Sequence, residues 1–126
     1  IAYYEAQGQL HDMDDFQSMY TDNNGIFLVI TDDYQIIGTG AIRKTDDEVC
    51  ELKRLWLSFE YHGKGLGYRM MQELLSFARA KGYARMRLGT DQGHQNRAFD
   101  FYKRLGFYEI PRYGDNADDV AMEMIL

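Results

Sequence analysis

A chain of 126 residues with 45% hydrophobic content is long enough for one domain around a single core and too short for two. Twenty acidic against fourteen basic residues leave a formal charge of −6, which argues against a nucleic-acid surface and makes basic small molecules or basic polypeptide segments the easier partners. A single cysteine, Cys50, excludes an intrachain disulfide and a cysteine-rich metal cage, and no apolar run approaches the roughly 20 residues of a membrane span.

A reducing cytoplasm is therefore the expected setting. His11, His62 and His94 lie far apart without ligand spacing, so no metal is expected. The chain opens at Ile1 on Tyr3-Tyr4-Glu5-Ala6 rather than on methionine, and a preceding N-terminal segment is expected. No repeat, low-complexity tract or linker interrupts it, so one continuous domain over 1–126 is predicted.

In chain order, a short helix is expected over 14–20, and Thr21-Asp22-Asn23-Asn24-Gly25 is turn chemistry. The apolar run 26–30 suits a strand buried on both faces, and Asp32-Asp33 turns it into a second strand over 35–43. Gly38 and Gly40 inside that strand point to a bulge or a close backbone approach. A third strand spans 49–57. Over 66–81, Leu66, Met70, Leu74, Phe77 and Ala78, flanked by Met71 and Leu75, recur at helical spacing, and Gly82 follows as a cap. A strand over 84–90, a helix over 95–105 closed by Gly106, and strands over 107–112 and 120–126 complete the pattern. Strand, turn, helix, strand at 49–90 makes a βαβ unit with parallel strands. The fold class is α/β: a mixed, partly parallel central sheet flanked by helices.

The turn His62-Gly63-Lys64-Gly65-Leu66-Gly67 joins the third strand to the first long helix. Glycines let the backbone approach an anion, and the first helical N–H groups point at it with the positive end of the helix dipole behind them. The alternative is a tight turn that merely needs positive φ. A Walker A loop fails, because no Ser or Thr follows Lys64. A dinucleotide fingerprint fails at Met70, which stands where the third glycine belongs, although Asp91 ends the next strand at a suitable distance.

Three segments in order, Glu51-Leu52-Lys53-Arg54-Leu55-Trp56-Leu57, the glycine turn, and Asn96-Arg97-Ala98-Phe99-Asp100-Phe101-Tyr102-Lys103-Arg104-Leu105-Gly106-Phe107, resemble successive motifs of the GNAT superfamily of N-acetyltransferases. The family's pyrophosphate loop, Q/R-x-x-G-x-G/A, matches here as His62-x-x-Gly65-x-Gly67, with His62 replacing Gln or Arg. The resemblance runs from about residue 26 to the C-terminus. It implies acetyl-coenzyme A as co-substrate, no metal, and transfer of the acetyl group to a primary amine of a small molecule or peptide by direct attack in a ternary complex. A non-catalytic acyl-coenzyme A binding or sensing module is the alternative. The coenzyme would be held by His62, Gly63, Lys64, Gly65, Leu66, Gly67 and Tyr68, by main-chain groups of Leu55 and Leu57, and by Asn96, which also suits a helix N-cap. No nucleic-acid or membrane partner is implied, and a monomer or homodimer is expected.

The chemistry imposes three demands: the amine must lose a proton, the thioester oxygen must be stabilised, and the thiolate must be protonated or solvated. The resemblance places Glu51 as base through a water, a backbone N–H near Leu57 at the oxygen, and Tyr102 as general acid. Residue by residue, alternatives stand. Glu51 could face solvent or pair with Lys53, and Tyr102 shares helical spacing with Ala98, Phe101 and Leu105, as a core tyrosine would. Cys50, beside Glu51 on the opposite strand face, is a poor nucleophile candidate. Trp56, Phe107, Tyr108 and Tyr113 could line an acceptor pocket or the core. The polar stretch 112–119, with Asp115, Asp118 and Asp119, could suit a cationic acceptor or simply be a solvated turn.

Overall fold

β1 (Ala2–Glu5), β2 (Ile26–Asp32), β3 (Gln35–Lys44), β4 (Val49–Leu57), β5 (Arg85–Thr90), β6 (Tyr108–Ile110) and β7 (Val120–Ile125) form one sheet in the order β1-β2-β3-β4-β5-β7-β6. The computed structural model describes residues 1–5, 23–90, 96–114 and 120–126, apart from the side chains of Tyr4 and Asn96. The helix expected over 14–20 lies outside the described residues, as does the aspartate-rich stretch 115–119. α1 (Leu66–Ala80) and α2 (Asn96–Leu105) accompany the sheet, and a short 3₁₀ turn occupies Phe59–Tyr61. Among the described residues, no helix is long and apolar enough to cross a membrane.

The mixed sheet follows from the connections. β2, β3 and β4 are joined by tight turns and pair antiparallel, while α1 carries the chain from β4 to a parallel β5. The expected strands and helices stand within a few residues of their predicted ends. β1 was not expected, since four residues carry too little pattern to mark a strand; it pairs antiparallel with β2. The strand expected over 107–112 shortens to three residues, with Pro111 directly after it.

α1 buries Met70, Met71, Leu74, Leu75 and Ala78 against Leu28, Ile30, Ile42 and Cys50 of the sheet. The buried stripe is thus rotated from the predicted one: Met71 and Leu75 are in the core, and Phe77 is only half-buried with the Lys81 ammonium 5.7 Å from its ring centroid. Gly40 makes this approach possible. A Cβ there would lie 2.9 Å from both Leu74 Cδ1 and Met70 Sδ, closer than van der Waals contact allows.

Two departures from regular pairing position the site. Ala41 pairs with Lys53 and Thr39 with Trp56, so Arg54 and Leu55 together oppose Gly40 in a β-bulge. Arg54 takes φ +56°, uncommon for a residue with a side chain, and its carbonyl accepts the Thr39 hydroxyl at 2.5 Å. On the other edge, β4 pairs with β5 only at Val49↔Arg85, Cys50↔Met86 and Glu51↔Arg87. Beyond Glu51 the two strands part, and the rest of β4 has no partner on β5.

Candidate active site

The parting of β4 and β5 opens the sheet beside the glycine turn. A cavity of about 810 Å³ lies between the end of β4, the start of α1 and one side of α2. His62, Gly63, Gly65, Leu66, Gly67 and Tyr68 line it from the turn, as do Leu55 and Leu57 from β4. Lys64 stands apart from this lining, its ammonium 5.4 Å from the Tyr61 ring centroid. Asn96 begins α2; its side chain is outside the described atoms.

The turn is held at several points. Gly65 is the N-cap of α1 with φ +80°, a left-handed conformation that favours glycine, and no side chain caps the helix. The His62 ring Nε2 donates to the Leu57 carbonyl at 2.8 Å, which fixes the tautomer with the proton on Nε2. Tyr61 donates to Asp32 Oδ2 at 2.5 Å, and Tyr3 donates to the Leu66 carbonyl at 3.0 Å. The residue that departs from the family's loop pattern thus ties the loop to the strand. No acidic residue stands in the first turn of α1, where the N–H groups of Leu66, Gly67 and Tyr68 have no intrahelical acceptor. A Cβ at Gly63, Gly65 or Gly67 would meet nothing within 4 Å. An open, positively polarised cradle of this form fits a pyrophosphate. Trp56, Phe59 and Tyr68 at the rim are large and exposed, an apolar edge that a bound ligand would cover.

Tyr102 is 8% exposed and borders both this cavity and a second, of about 230 Å³, in the gap between β4 and β5. Burial pushes its phenol up to about 12, so it is protonated and able to donate at neutral pH. The turn that ends α2, with Gly106 N–H donating to the Lys103 carbonyl and Phe107 N–H to that of Tyr102, brings Phe107 edge-on to the Tyr102 ring. The core reading of Tyr102 is present, and the same side chain lines both cavities.

Glu51 borders neither cavity. Its side chain is 6% exposed, with Oε1 2.8 Å from Arg43 Nη2 and 3.3 Å from Lys53 Nζ. Oε2 accepts the Tyr113 hydroxyl at 2.7 Å. The pairing with Lys53 open in the sequence is present, and exposure to solvent is not. Glu51 belongs to a rung crossing the sheet, Arg43↔Glu51↔Arg87↔Glu123, which Tyr108 closes on β6. Burial alone would raise the Glu123 carboxyl; hydrogen bonds from Tyr108 and Arg87 outweigh it and hold it below the ordinary range. Cys50 is fully buried in the core, and burial pushes its thiol up to about 12, which leaves no accessible thiolate.

Sequence reasoning missed Arg97, Asp100, Phe101 and Arg104 as cavity-lining residues. Their spacing on α2 was a usable signal: 97, 100, 101 and 104 share one helical face. Among the described residues, no group of three or more His, Cys, Asp or Glu side chains could hold a metal.

The sequence profile of the acetyltransferase (GNAT) family matches residues 1–107. The chain belongs to that family. An uncharacterized N-acetyltransferase of Mycobacterium tuberculosis is 35% identical over 92 residues, which are 73% of this chain and 58% of that protein. The N-acetylaspartate synthetase of Xenopus tropicalis is 31% identical over 101 residues, 79% of this chain and 37% of that one. The chain therefore spans little more than half, or less, of these relatives. An acetyltransferase from Streptococcus agalactiae superposes with a TM-score of 0.83 at 25% identity, over 94% of this chain and 79% of its own. The PaiA N-acetyltransferase of Thermoplasma acidophilum, solved with coenzyme A, superposes with a TM-score of 0.75 at 26% identity, over 93% and 69%. These neighbours carry the mixed, partly parallel sheet with flanking helices that the sequence predicted for this GNAT chain.

Proposed function

We propose that this GNAT protein transfers an acetyl group from acetyl-coenzyme A to a primary amine by direct attack within a ternary complex. The observation that carries the reading is the meeting of two cavities at Tyr102, one against the glycine turn and one in the gap where β4 leaves β5. The glycine turn would hold the pyrophosphate through the N–H groups of Leu66, Gly67 and Tyr68. The unpaired edge of β4 would hold the pantetheine arm as an added strand, with Leu55 and Leu57 contacting it through the main chain. When bound, the coenzyme supplies an acetyl thioester at the end of that arm.

In the transfer, the acceptor nitrogen bonds to the acetyl carbon, the carbon–sulfur bond breaks, and one proton leaves the nitrogen while another reaches the sulfur. Tyr102 is the proposed donor to sulfur, protonated and within the wall shared by both cavities. A backbone N–H at the β4 bulge or near Leu57 is proposed to face the carbonyl oxygen. A covalent acyl-enzyme is not needed, and the buried, protonated Cys50 gives that route no support.

Glu51 enters as the base only through a relay, because Arg43, Lys53 and Tyr113 occupy both carboxylate oxygens. That occupancy favours a second reading, in which Glu51 is a positioning residue that holds Lys53 and Tyr113 beside the gap. Thiol release from acetyl-coenzyme A, measured with purified protein against a panel of amines, tests the function. Coenzyme binding by calorimetry with no thiol release from any amine would leave the acyl-coenzyme A binding module in its place.

A further inference from the structure

Resting on that reading, we propose that the smaller cavity, lined by residues 52–55 of β4 and 88–90 of β5 just beyond their last paired rung, is the acceptor pocket, that the coenzyme arm lies farther along β4 at Leu55 and Leu57, and that the pocket selects a compact amine carrying a carboxylate. Among the described residues that line the 230 Å³ cavity, the ionised ones are Lys53 and Arg54; the others are leucines, Gly89, Thr90 and Tyr102. This volume lies below the roughly 300–1,000 Å³ of drug-sized sites and suits an amino-acid-sized molecule.

The surrounding charge has the same sign. Oε1 of Glu51 is shared by Arg43 and Lys53, and Glu123 is shared by Arg87 and Arg85, the latter at 3.9 Å. Among the described residues, four cations are thus ion-paired with two carboxylates, and Asp46 is a further negative charge acting on Arg87. The carboxylates are 6% exposed, whereas the side chains of Arg43, Lys53, Arg85 and Arg87 are between 27% and 52% exposed. The negative ends are sunk in the sheet and the positive ends reach solvent. Arg54 adds a further cation, set by the bulge at φ +56° and engaged in no ion pair within 4.0 Å among the described residues. Among the described residues of this rung and its bulge, cations outnumber carboxylates.

An acceptor amine must reach Tyr102 as the free base, so a cationic wall disfavours its ammonium form as well as any second ammonium on the same molecule. A carboxylate a few atoms from the amine would meet Lys53 and Arg54 and leave the nitrogen directed to the end of the gap bordered by Tyr102. Polyamines and aminoglycosides meet like charge there. The net charge of the whole chain points to basic partners, and the local field at the pocket points the other way.

Thiol release is compared for alanine, β-alanine, aspartate and glutamate against alaninamide and spermidine. Alaninamide loses its ammonium proton more readily and has the intrinsic advantage, so a preference for a carboxylate-bearing acceptor reports recognition. The expected kcat/KM is about 10- to 100-fold higher for at least one amino acid, the span of one hydrogen-bonded charge pair. Lys53→Gln and Arg54→Gln, both at partly or fully exposed positions, are each expected to reduce that ratio about tenfold, chiefly through KM. Equal or faster turnover of alaninamide or spermidine overturns the inference while leaving acetyl transfer standing, as does a preference that survives both substitutions. Absence of turnover with every acceptor removes the acetyl-transfer reading and this inference with it.

Discussion

The Tyr113 hydroxyl donates to Glu51 Oε2 at 2.7 Å, joining residues 62 positions apart and locking the segment after β6 to the middle of β4. Burial first, and then the hydrogen bond to Glu51, pushes the Tyr113 phenol well above its ordinary value, so it remains a donor at neutral pH. The Arg87 guanidinium stands 5.3 Å from the centroid of the same ring. Tyr113 therefore links two neighbours in the charged rung, Glu51 and Arg87, that share a register position on β4 and β5. They flank the last rung before the strands part. The opening of the sheet begins from a cross-linked edge.

Glu51→Gln separates the two roles open to that carboxylate. Removing the charge leaves Arg43 and Lys53 without their shared partner, and a loss of about 1–3 kcal/mol is expected, below the cost of a fully buried pair because both cations are partly exposed. Urea unfolding checks this directly. If Glu51 takes the proton through a relay, kcat falls by roughly 10²- to 10⁴-fold and recovers as pH rises and the free amine accumulates. If it positions Lys53, the change appears in KM and the pH profile keeps its shape. Tyr113→Phe keeps the charge and removes one hydrogen bond, so it should cost about 1 kcal/mol and leave the profile unchanged.

Tyr102→Phe should lower kcat by about 10²-fold or more with little effect on coenzyme affinity, since the ring that packs on Phe107 remains. The same substitution alters stability at high pH. The Tyr102 phenol and the Cys50 thiol, ordinarily near 10 and 9, are both pushed up to about 12 by burial, and both are neutral when protonated. The folded chain thus holds these protons more tightly than the unfolded chain. Their contribution is whole below pH 9, declines as pH rises through 9 and 10, and is lost at about 12. The unfolding free energy from urea titration should fall over this window by roughly 3–4 kcal/mol per group, and less steeply in Tyr102→Phe. A midpoint independent of pH up to about 11 would place these groups in contact with water.

His62→Ala removes the donor to the Leu57 carbonyl and frees one end of the glycine turn. A loss of about 1 kcal/mol in stability and a several-fold weaker binding of coenzyme A are expected, the second because the turn must then be ordered on binding. His62→Gln restores a side-chain amide donor and should retain both. Calorimetric titration of the two variants checks the pair. If His62→Ala binds as tightly as the parent chain, the link to Leu57 does not organise the turn.

Most of the fold was legible because its elements carry strong local patterns. The run 26–30 is buried from Phe27 on with Ile26 half-buried, and Leu74 and Ala78 fall on the inner face of α1 as their spacing implied. The difference lies at the margin of the stripe: Met71 and Leu75 are fully in the core, and Phe77 packs against it half-buried. The lining of the larger cavity was legible in part through motif order, which led to Gly65, Gly67 and Tyr102. The bulge at Arg54 left only glycines on the partner strand as a trace, and the parting of β4 from β5 left none in spacing or composition and was implied by the family resemblance alone. Both are properties of strand pairing. Of the partners of Glu51, Lys53 was open in the sequence, whereas Arg43 and Tyr113 were hidden because they reach it from distant positions.

Gly67→Ala distinguishes a phosphate cradle from an ordinary helix start, because folding and binding should respond with opposite sign. Gly67 lies in the first turn of α1 with ordinary helical backbone, and a Cβ there meets no atom within 4 Å. Alanine removes the entropic disadvantage of glycine, so stability should rise by about 0.5–1 kcal/mol. The added methyl projects into the open space in front of the turn, where an oxygen of the pyrophosphate would approach the backbone. Coenzyme A affinity should therefore fall, about tenfold or more, and further in Gly67→Val. Gly65→Val is a less discriminating variant, because φ +80° makes any side chain costly to the fold itself. Thermal unfolding paired with calorimetric titration reads both effects on one protein. A Gly67→Ala variant that is stabilised and binds coenzyme A unchanged would remove the glycine turn from the binding site.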